Sequence, residues 1–282
     1  MSKVHFIYGP MNSSKTTTLI TTAYNYREEA QNPVIMKPSL DTRDGVEPMI
    51  KSRPGLTAAC QLFDKSENLF VKVAALSGAT QEELNWLEEN LPPRPAPDVA
   101  EMVSGIRTAW INKGVMLKDI LPGYDQSRLD ELSEMLKTQK VRVKEYQYTR
   151  HQTLELFGTR INKTIDCVLV DEVQFLTEEQ ALDLLDIADY LRIPVMAFGL
   201  RNDFKGEIFP ASKILMAQAE VCKENKGVCW CGRKATHVLR IAEDGTVDTD
   251  GPQVKVGGND TYKSVCRYHH RAGMYRKPGI NS

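Results

Sequence analysis

The chain has 282 residues, of which 41% are hydrophobic and 26% charged, with a formal net charge of −1. That length allows one large domain or two modest ones, each with a real core, and the composition is that of an ordinary globular protein. The near-neutral balance excludes a global positive field that would draw the chain onto nucleic acid or an anionic membrane.

From the N-terminus, no basic-then-apolar leader precedes the first strand, and no apolar run approaches the length of a membrane span. A cytosolic location is therefore expected. VHFIYG (4–9) is a short β-rich run, and Lys15 to Ala30 is helix-compatible despite its threonines. PVIMKPSL (33–40) reads as a second buried strand.

Between the first strand and helix lies GPMNSSKT, Gly9 to Thr16. It matches the phosphate loop G-x-x-x-x-G-K-[ST] except that Ser14 stands where the second glycine belongs. In such a loop, backbone N–H groups and a helix N-terminus cradle phosphates. Lys15 would reach the β- and γ-phosphates, and the Thr16 hydroxyl would coordinate Mg²⁺. The plainer alternative is a Ser-Ser-Lys-Thr helix cap. A side chain at position 14 is tolerable if the backbone there is already helical, so a negative φ is expected.

The middle of the chain breaks the strand–helix rhythm. No comparable buried strand occurs from about Ser77 to Arg150, and LPPRPAPD (91–98) excludes helix and central strand alike. TQEELNWLEENL and SRLDELSEMLKTQKVRVKEY flank it as helix-like pieces, so residues 77–150 read as a helical insertion.

The rhythm then resumes. CVLVDE (167–172) is an apolar run ending in two carboxylates, and Thr177 is a plausible N-cap for a helix to Arg192. PVMAFGL (194–200) is another buried strand. Such apolar strands, separated by helices, argue for a parallel sheet covered on both faces. Asp171 and Glu172 thus fall at the carboxyl end of a strand, where open α/β sheets bind ligands. Asp171 suits Mg²⁺, and Glu172 could take a proton from an attacking hydroxyl. The alternative is that both simply begin a solvated loop.

After about Glu220, glycines, cysteines and short alternating runs such as THVLRI suggest small hairpins, a second module over 220–282. Of the six cysteines, Cys60 and Cys167 lie alone in apolar segments and read as core. Cys229, Cys231, Cys266 and His269 fit a closed, four-coordinate structural zinc site, although Cys-x-Cys is tighter than the usual spacer. Cys222 is a substitute ligand if Cys229 is not used. A Cys229–Cys231 disulfide is the weakest alternative. His270 is expected to face elsewhere and be exposed.

Together, G-P-M-x-S-x-K-T, DTR, VDEVQF, GLRNDFKGEIF and the C-terminal cysteine pattern resemble thymidine kinases of the zinc-containing type, closest to their bacterial branch. The resemblance covers roughly residues 1–76 and 151–275. It implies a P-loop α/β domain over 1–76 and 151–219, interrupted by the insertion, and a zinc-ribbon and lasso domain over 220–282. It further implies transfer of phosphate from ATP to the thymidine 5′-hydroxyl, a homotetramer, and feedback inhibition by dTTP.

Residue by residue, the resemblance implies that Gly9, Pro10, Met11, Asn12, Ser13, Ser14, Lys15 and Thr16 bind ATP and Mg²⁺, bordered by Asp171, Glu172, Val173 and Gln174. Glu172 would be the base, with Lys15 and Arg43 catalytic beside it. Asp41 and Arg43 would lie beside the sugar and transferred phosphate. Met11, Leu200, Phe204 and Phe209 would wall the base. Val254 to Tyr262 would form a lasso over thymine, with Val254, Val256, Gly257 and Tyr262 near the substrate.

Phe204 and Phe209 also read as ordinary core aromatics, Tyr262 as a packing residue, and Arg43 as a surface charge beside Asp44-Gly45. Two departures from the family stand out. Ser14 replaces the usual glycine, and residues 77–150 replace a short connection. Other pyrimidine deoxynucleosides such as deoxyuridine remain open as acceptors. So does an ATP-dependent nucleic-acid-binding protein, on the locally basic RYHHRAGMYRK.

Overall fold

The structure is a computed structural model, in which residues 2–43, 45, 47–94, 147–254 and 261–277 are described. Residues 1–81 and 161–282 form one compact unit and 82–160 a second.

The first unit is built on a six-stranded, wholly parallel sheet in the order β5-β2-β6-β7-β1-β8. Its strands are β1 (Val4–Tyr8), β2 (Pro33–Pro38), β5 (Gln61–Phe63), β6 (Cys167–Val170), β7 (Val195–Gly199) and β8 (Val221–Glu224). β6, the most apolar, lies inside the sheet with all four residues buried, as its unbroken run of CVLV requires. Helix α1 (Lys15–Glu28) returns the chain from β1. Within it Thr18, Thr21 and Thr22 donate their hydroxyls back to carbonyls one turn earlier, which satisfies them without leaving the helix. Leu19, Ile20 and Ala23 of α1 bury against Ile7, Ile35, Leu169 and Phe198 of the sheet.

Among the other helices are α2 (Leu69–Leu76), α4 (Glu178–Tyr190) and α5 (Pro210–Gln218), with α4 in contact with both α2 and α5. The expected cap at Thr177 is present. Its hydroxyl accepts from Gln180 N at 3.1 Å while the Gln180 side-chain oxygen accepts from Thr177 N at 3.2 Å.

Three short strands escape the periodicity reading: β3 (Met49–Lys51), β4 (Thr57–Ala59) and β5. At three residues each they are too short to show a period. β3 and β4 make a hairpin beside the sheet, and β5 extends its edge. β8 starts at Val221 and pairs with β1, so a strand of the main sheet lies beyond the boundary expected near residue 220.

The C-terminal part adds β9 (Gly227–Val228) with β10 (Lys234–Ala235), a three-stranded sheet of β12 (Val247–Asp248), β11 (His237–Ile241) and β13 (Tyr262–Val265), and the short helix α6 (Arg267–Arg271). Cys229 and Cys266 are buried there with Ala235, Leu239 and Val265.

In the second unit, α3 (Gln81–Asn90) and a helical stretch over 147–160 are described. The Arg160 guanidinium sits 4.6 Å from the Trp86 ring centre, and Arg150 donates to the Pro92 carbonyl at 3.3 Å. The helix expected in SRLDELSEMLKTQKVRVKEY lies outside the described residues.

Candidate active site

The loops leaving the carboxyl ends of β1, β2, β6 and β7 meet at one cleft of about 370 Å³. From β1 comes the loop Gly9 to Ser14. Gly9 is required by space, since a Cβ there would sit 2.4 Å from the Asn225 carbonyl oxygen. Lys15, buried at the start of α1, donates to the carbonyls of Gly9 at 3.0 Å and Pro10 at 2.9 Å. Burial lowers its ammonium below the ordinary lysine value, although Glu172 and Asp171 oppose that.

The negative φ expected at Ser14 is not found. Ser14 has φ +60 and Asn12 φ +64, both left-handed. Ser14 therefore takes the left-handed backbone that glycine adopts freely, without being glycine. Its side chain makes no capping hydrogen bond and is exposed.

β6 delivers Asp171 and Glu172. Thr16 Oγ1 donates to Asp171 Oδ2 at 2.9 Å, joining loop and acidic strand end. Burial, and next the charge of Glu172, push the Asp171 carboxyl up to about 7. Burial would raise Glu172 too, but Arg43 and Lys15 outweigh it and hold this carboxyl below its ordinary value. Glu172 is also left-handed, at φ +53, a strained backbone held by its surroundings. Those surroundings are Arg43, ion-paired to Oε1, and Gln174, which donates to Oε2. Gln174 in turn accepts from Leu200 N at 2.9 Å at the end of β7. Gly199 makes room for this, since a Cβ there would lie 2.7 Å from the Gln174 side-chain oxygen.

After β2, Asp41 clasps Arg43 through two bonds, Nε to Oδ1 at 2.6 Å and Nη2 to Oδ2 at 2.9 Å. Lys37 approaches Asp41 at 3.4 Å. Burial would raise Asp41, but Arg43 and then Lys37 hold it below the usual carboxylate range. Arg43 is thus tied to Asp41 and Glu172, although the residue as a whole remains exposed.

Met11, Leu200, Phe204, Phe209, Val254 and Tyr262 also line the cleft. The structure thus gathers most of the residues expected to meet there. Val173 does not line the cleft, being fully buried. Gly9 and Pro10 contribute carbonyls to Lys15 but likewise stand behind the lining. Val256 and Gly257 lie outside the described residues. Sequence reading missed Lys51, Ser52, Arg53 and Pro54, which the β3–β4 hairpin brings to the cleft, and Asn202, Asp203 and Gln253. Only the unusual run SRPG between two short β-rich pieces marked the first group.

Cys229, Cys231, Cys266 and His269 converge, with ligand atoms all within 4.8 Å of one another. His269 Nδ1 is 3.4 Å from the sulfurs of both Cys229 and Cys266, and the sulfurs of Cys231 and Cys266 are 3.9 Å apart. A tetrahedral zinc with Zn–S of about 2.3 Å and Zn–N of about 2.0 Å has edges of roughly 3.5–3.8 Å, so these four residues fit it. Cys222 is exposed on β8, outside this group. His270 is not the exposed residue expected. It is half-buried, with Nε2 2.7 Å from the Phe204 carbonyl and its ring 4.7 Å from that of His237.

The family model described as "Thymidine kinase" matches residues 2–82 and 124–270. The chain belongs to the thymidine kinase family. It is 33% identical over 277 residues to a thymidine kinase of Rhodopirellula baltica, covering 98% of this chain and 92% of that one. It is 33% identical over 271 residues to that of Haemophilus influenzae, covering 96% and 97%. With that of Photobacterium profundum it shares 31% over 276 residues, covering 98% and 100%. The family model leaves 83–123 unmatched, while these thymidine kinases align across nearly the whole chain. A solved bacterial conjugative coupling protein overlaps at a TM-score of 0.29 with 11% identity, too slight to bear on the fold.

Proposed function

We infer that the protein transfers the γ-phosphate of ATP to the 5′-hydroxyl of thymidine, giving dTMP. The observation that carries this reading is the Thr16–Asp171 contact beside Glu172, which sets a phosphate site and a carboxylate base in one cleft with an aromatic wall.

Lys15 and the loop N–H groups bind the β- and γ-phosphates, with Lys15 giving up its two carbonyl partners. Thr16 and Asp171 would hold Mg²⁺, which when bound neutralises phosphate charge. Glu172, kept ionised by Arg43 and Lys15, accepts the 5′-hydroxyl proton as the oxygen attacks in line. Arg43 is fixed by Asp41 and faces the charge that develops on the transferred group. Gln174 fixes the aim of Glu172 by tying it to the end of β7. Phe204, Phe209, Leu200 and Met11 enclose the base, with Val254 and Tyr262 beside them in the cleft.

Zinc at Cys229, Cys231, Cys266 and His269 has a structural role, because four protein ligands leave no position for water. A homotetramer, feedback inhibition by dTTP and a cytoplasmic location belong to the same reading. Domain boundaries belong to this reading as well, with a nucleotide-binding domain over 1–76 and 151–219 to which β8 adds a strand, an insertion over 77–150, and a zinc and lasso domain in the remainder of 220–282. No helix among the described residues is long and apolar enough to cross a membrane.

A substrate panel tests this reading. Purified protein with MgATP is given thymidine, deoxyuridine or deoxycytidine, and nucleoside monophosphate is quantified. Thymidine should give the highest kcat/KM; a higher value for deoxyuridine or deoxycytidine would reassign the acceptor.

A further inference from the structure

Phe204 sits near the tip of a tight hairpin in which Asn202 pairs with Ile208 and Asp203 N donates to the Glu207 carbonyl. Asp203 Oδ1 accepts from the N–H groups of Lys205 and Glu207, both at 2.9 Å, which closes the turn. Each of three further supports comes from the C-terminal module. The Arg240 guanidinium, on β11 and buried, lies 3.7 Å from the Phe204 ring centre. Gln253 donates to Asp203 Oδ2 at 3.0 Å. His270 Nε2 lies 2.7 Å from the Phe204 carbonyl oxygen. A carbonyl only accepts, so His270 carries its proton on Nε2 and donates it.

We propose that His270 is a positioning residue for nucleoside binding: through its bond to the Phe204 carbonyl it sets the wall of the acceptor pocket. It follows directly on His269, so the element that carries a cysteine-cluster ligand also grips the pocket wall. Its ring packs on that of His237, whose neighbour Val238 lines the cleft. This brace runs from the cluster to the acceptor side of the cleft. The phosphate loop is held separately, by Ser264 Oγ donating to the Met11 carbonyl at 2.6 Å. Loss of the His270 donor should therefore weaken acceptor binding and leave ATP binding alone.

The proposal rests on Phe204 facing the nucleoside, and the test separates the two. Two variants share the loss of the ring and differ in the donor. In His270→Gln the side-chain amide takes the place of Nε2–H, whereas His270→Leu has no donor. For His270→Leu, KM for thymidine should rise about tenfold, the size expected when a half-buried carbonyl loses its partner. KM for ATP, kcat and bound zinc should stay within about twofold of the parent. His270→Gln should recover most of the thymidine affinity. An unchanged thymidine KM in His270→Leu overturns the proposal. So does an equal defect in both variants, or a joint loss of zinc, ATP affinity and kcat, either of which means a structural role only. If Phe204→Leu leaves thymidine KM unchanged while thymidine is still phosphorylated, Phe204 is not the pocket wall, and the proposal fails with the thymidine kinase reading intact.

Discussion

Thr16 Oγ1 donates to Asp171 Oδ2 at 2.9 Å, joining two residues 155 positions apart in the chain. The bond exists because β1 and β6 flank β7 in one parallel sheet, so the loops that follow them emerge on the same edge. In the proposed reaction both partners would offer oxygen to Mg²⁺. Thr16→Ala removes one of them without disturbing a core position. It should lower kcat/KM for MgATP by at least about tenfold. Steady-state kinetics over a magnesium titration checks this; unaltered magnesium dependence would remove Thr16 from the site.

Ser14 gives a prediction of opposite sign. A non-glycine residue at φ +60 costs about 1–2 kcal/mol, partly offset by the greater chain entropy that glycine loses on folding. Ser14→Gly should therefore stabilise the protein by up to about 1 kcal/mol, raising Tm by about 2–4 °C. ATP affinity should hold, since the N–H groups keep their aim. A fall in Tm on thermal unfolding would mean that the Ser14 hydroxyl makes a stabilising contact.

The loop was legible from its near-match to the phosphate-loop spacing and the two strands from the apolar runs VHFIYG and CVLVDE, although a helix cap and a solvated loop stood as alternatives. The sign of φ at Ser14 was not legible, since a serine does not reveal whether the fold will force it into a glycine conformation. The β3–β4 hairpin that brings Lys51 and Arg53 to the cleft was hidden by the shortness of its strands. The role of His270 was hidden for another reason. Its partner is the backbone carbonyl of Phe204, and backbone acceptors leave no mark on side-chain pattern.

The cysteine cluster predicts metal content. Purified protein should carry about one zinc per chain. Cys231→Ser should lose it and unfold at lower temperature, because the metal would no longer tie residues 229–231 to 266–269. Elemental analysis beside thermal unfolding checks this. A zinc-free protein of unchanged Tm would contradict it.

His237 predicts an acid limb in stability. Burial, and next the charge of His270, push it down to about 4. An unfolded histidine titrates near 6.5, so protons bind the unfolded state first as pH falls. The stability held above about pH 6.5 is lost progressively down to about pH 4, at which the folded side chain also protonates. His237→Asn should flatten that part of the curve. A slope between pH 6.5 and 4 as steep in the variant as in the parent would assign it to other groups.

Glu172 carries the central claim. A single turnover with [γ-³²P]ATP and thymidine, with the labelled product digested by a 5′-nucleotidase, tests it most directly. The parent should place the label on the 5′-oxygen of thymidine. Glu172→Gln should slow that transfer by about 10²–10⁴-fold while still binding ATP. ADP release without thymidine phosphate, accelerated by single-stranded DNA, or transfer at the parental rate in Glu172→Gln, would contradict it.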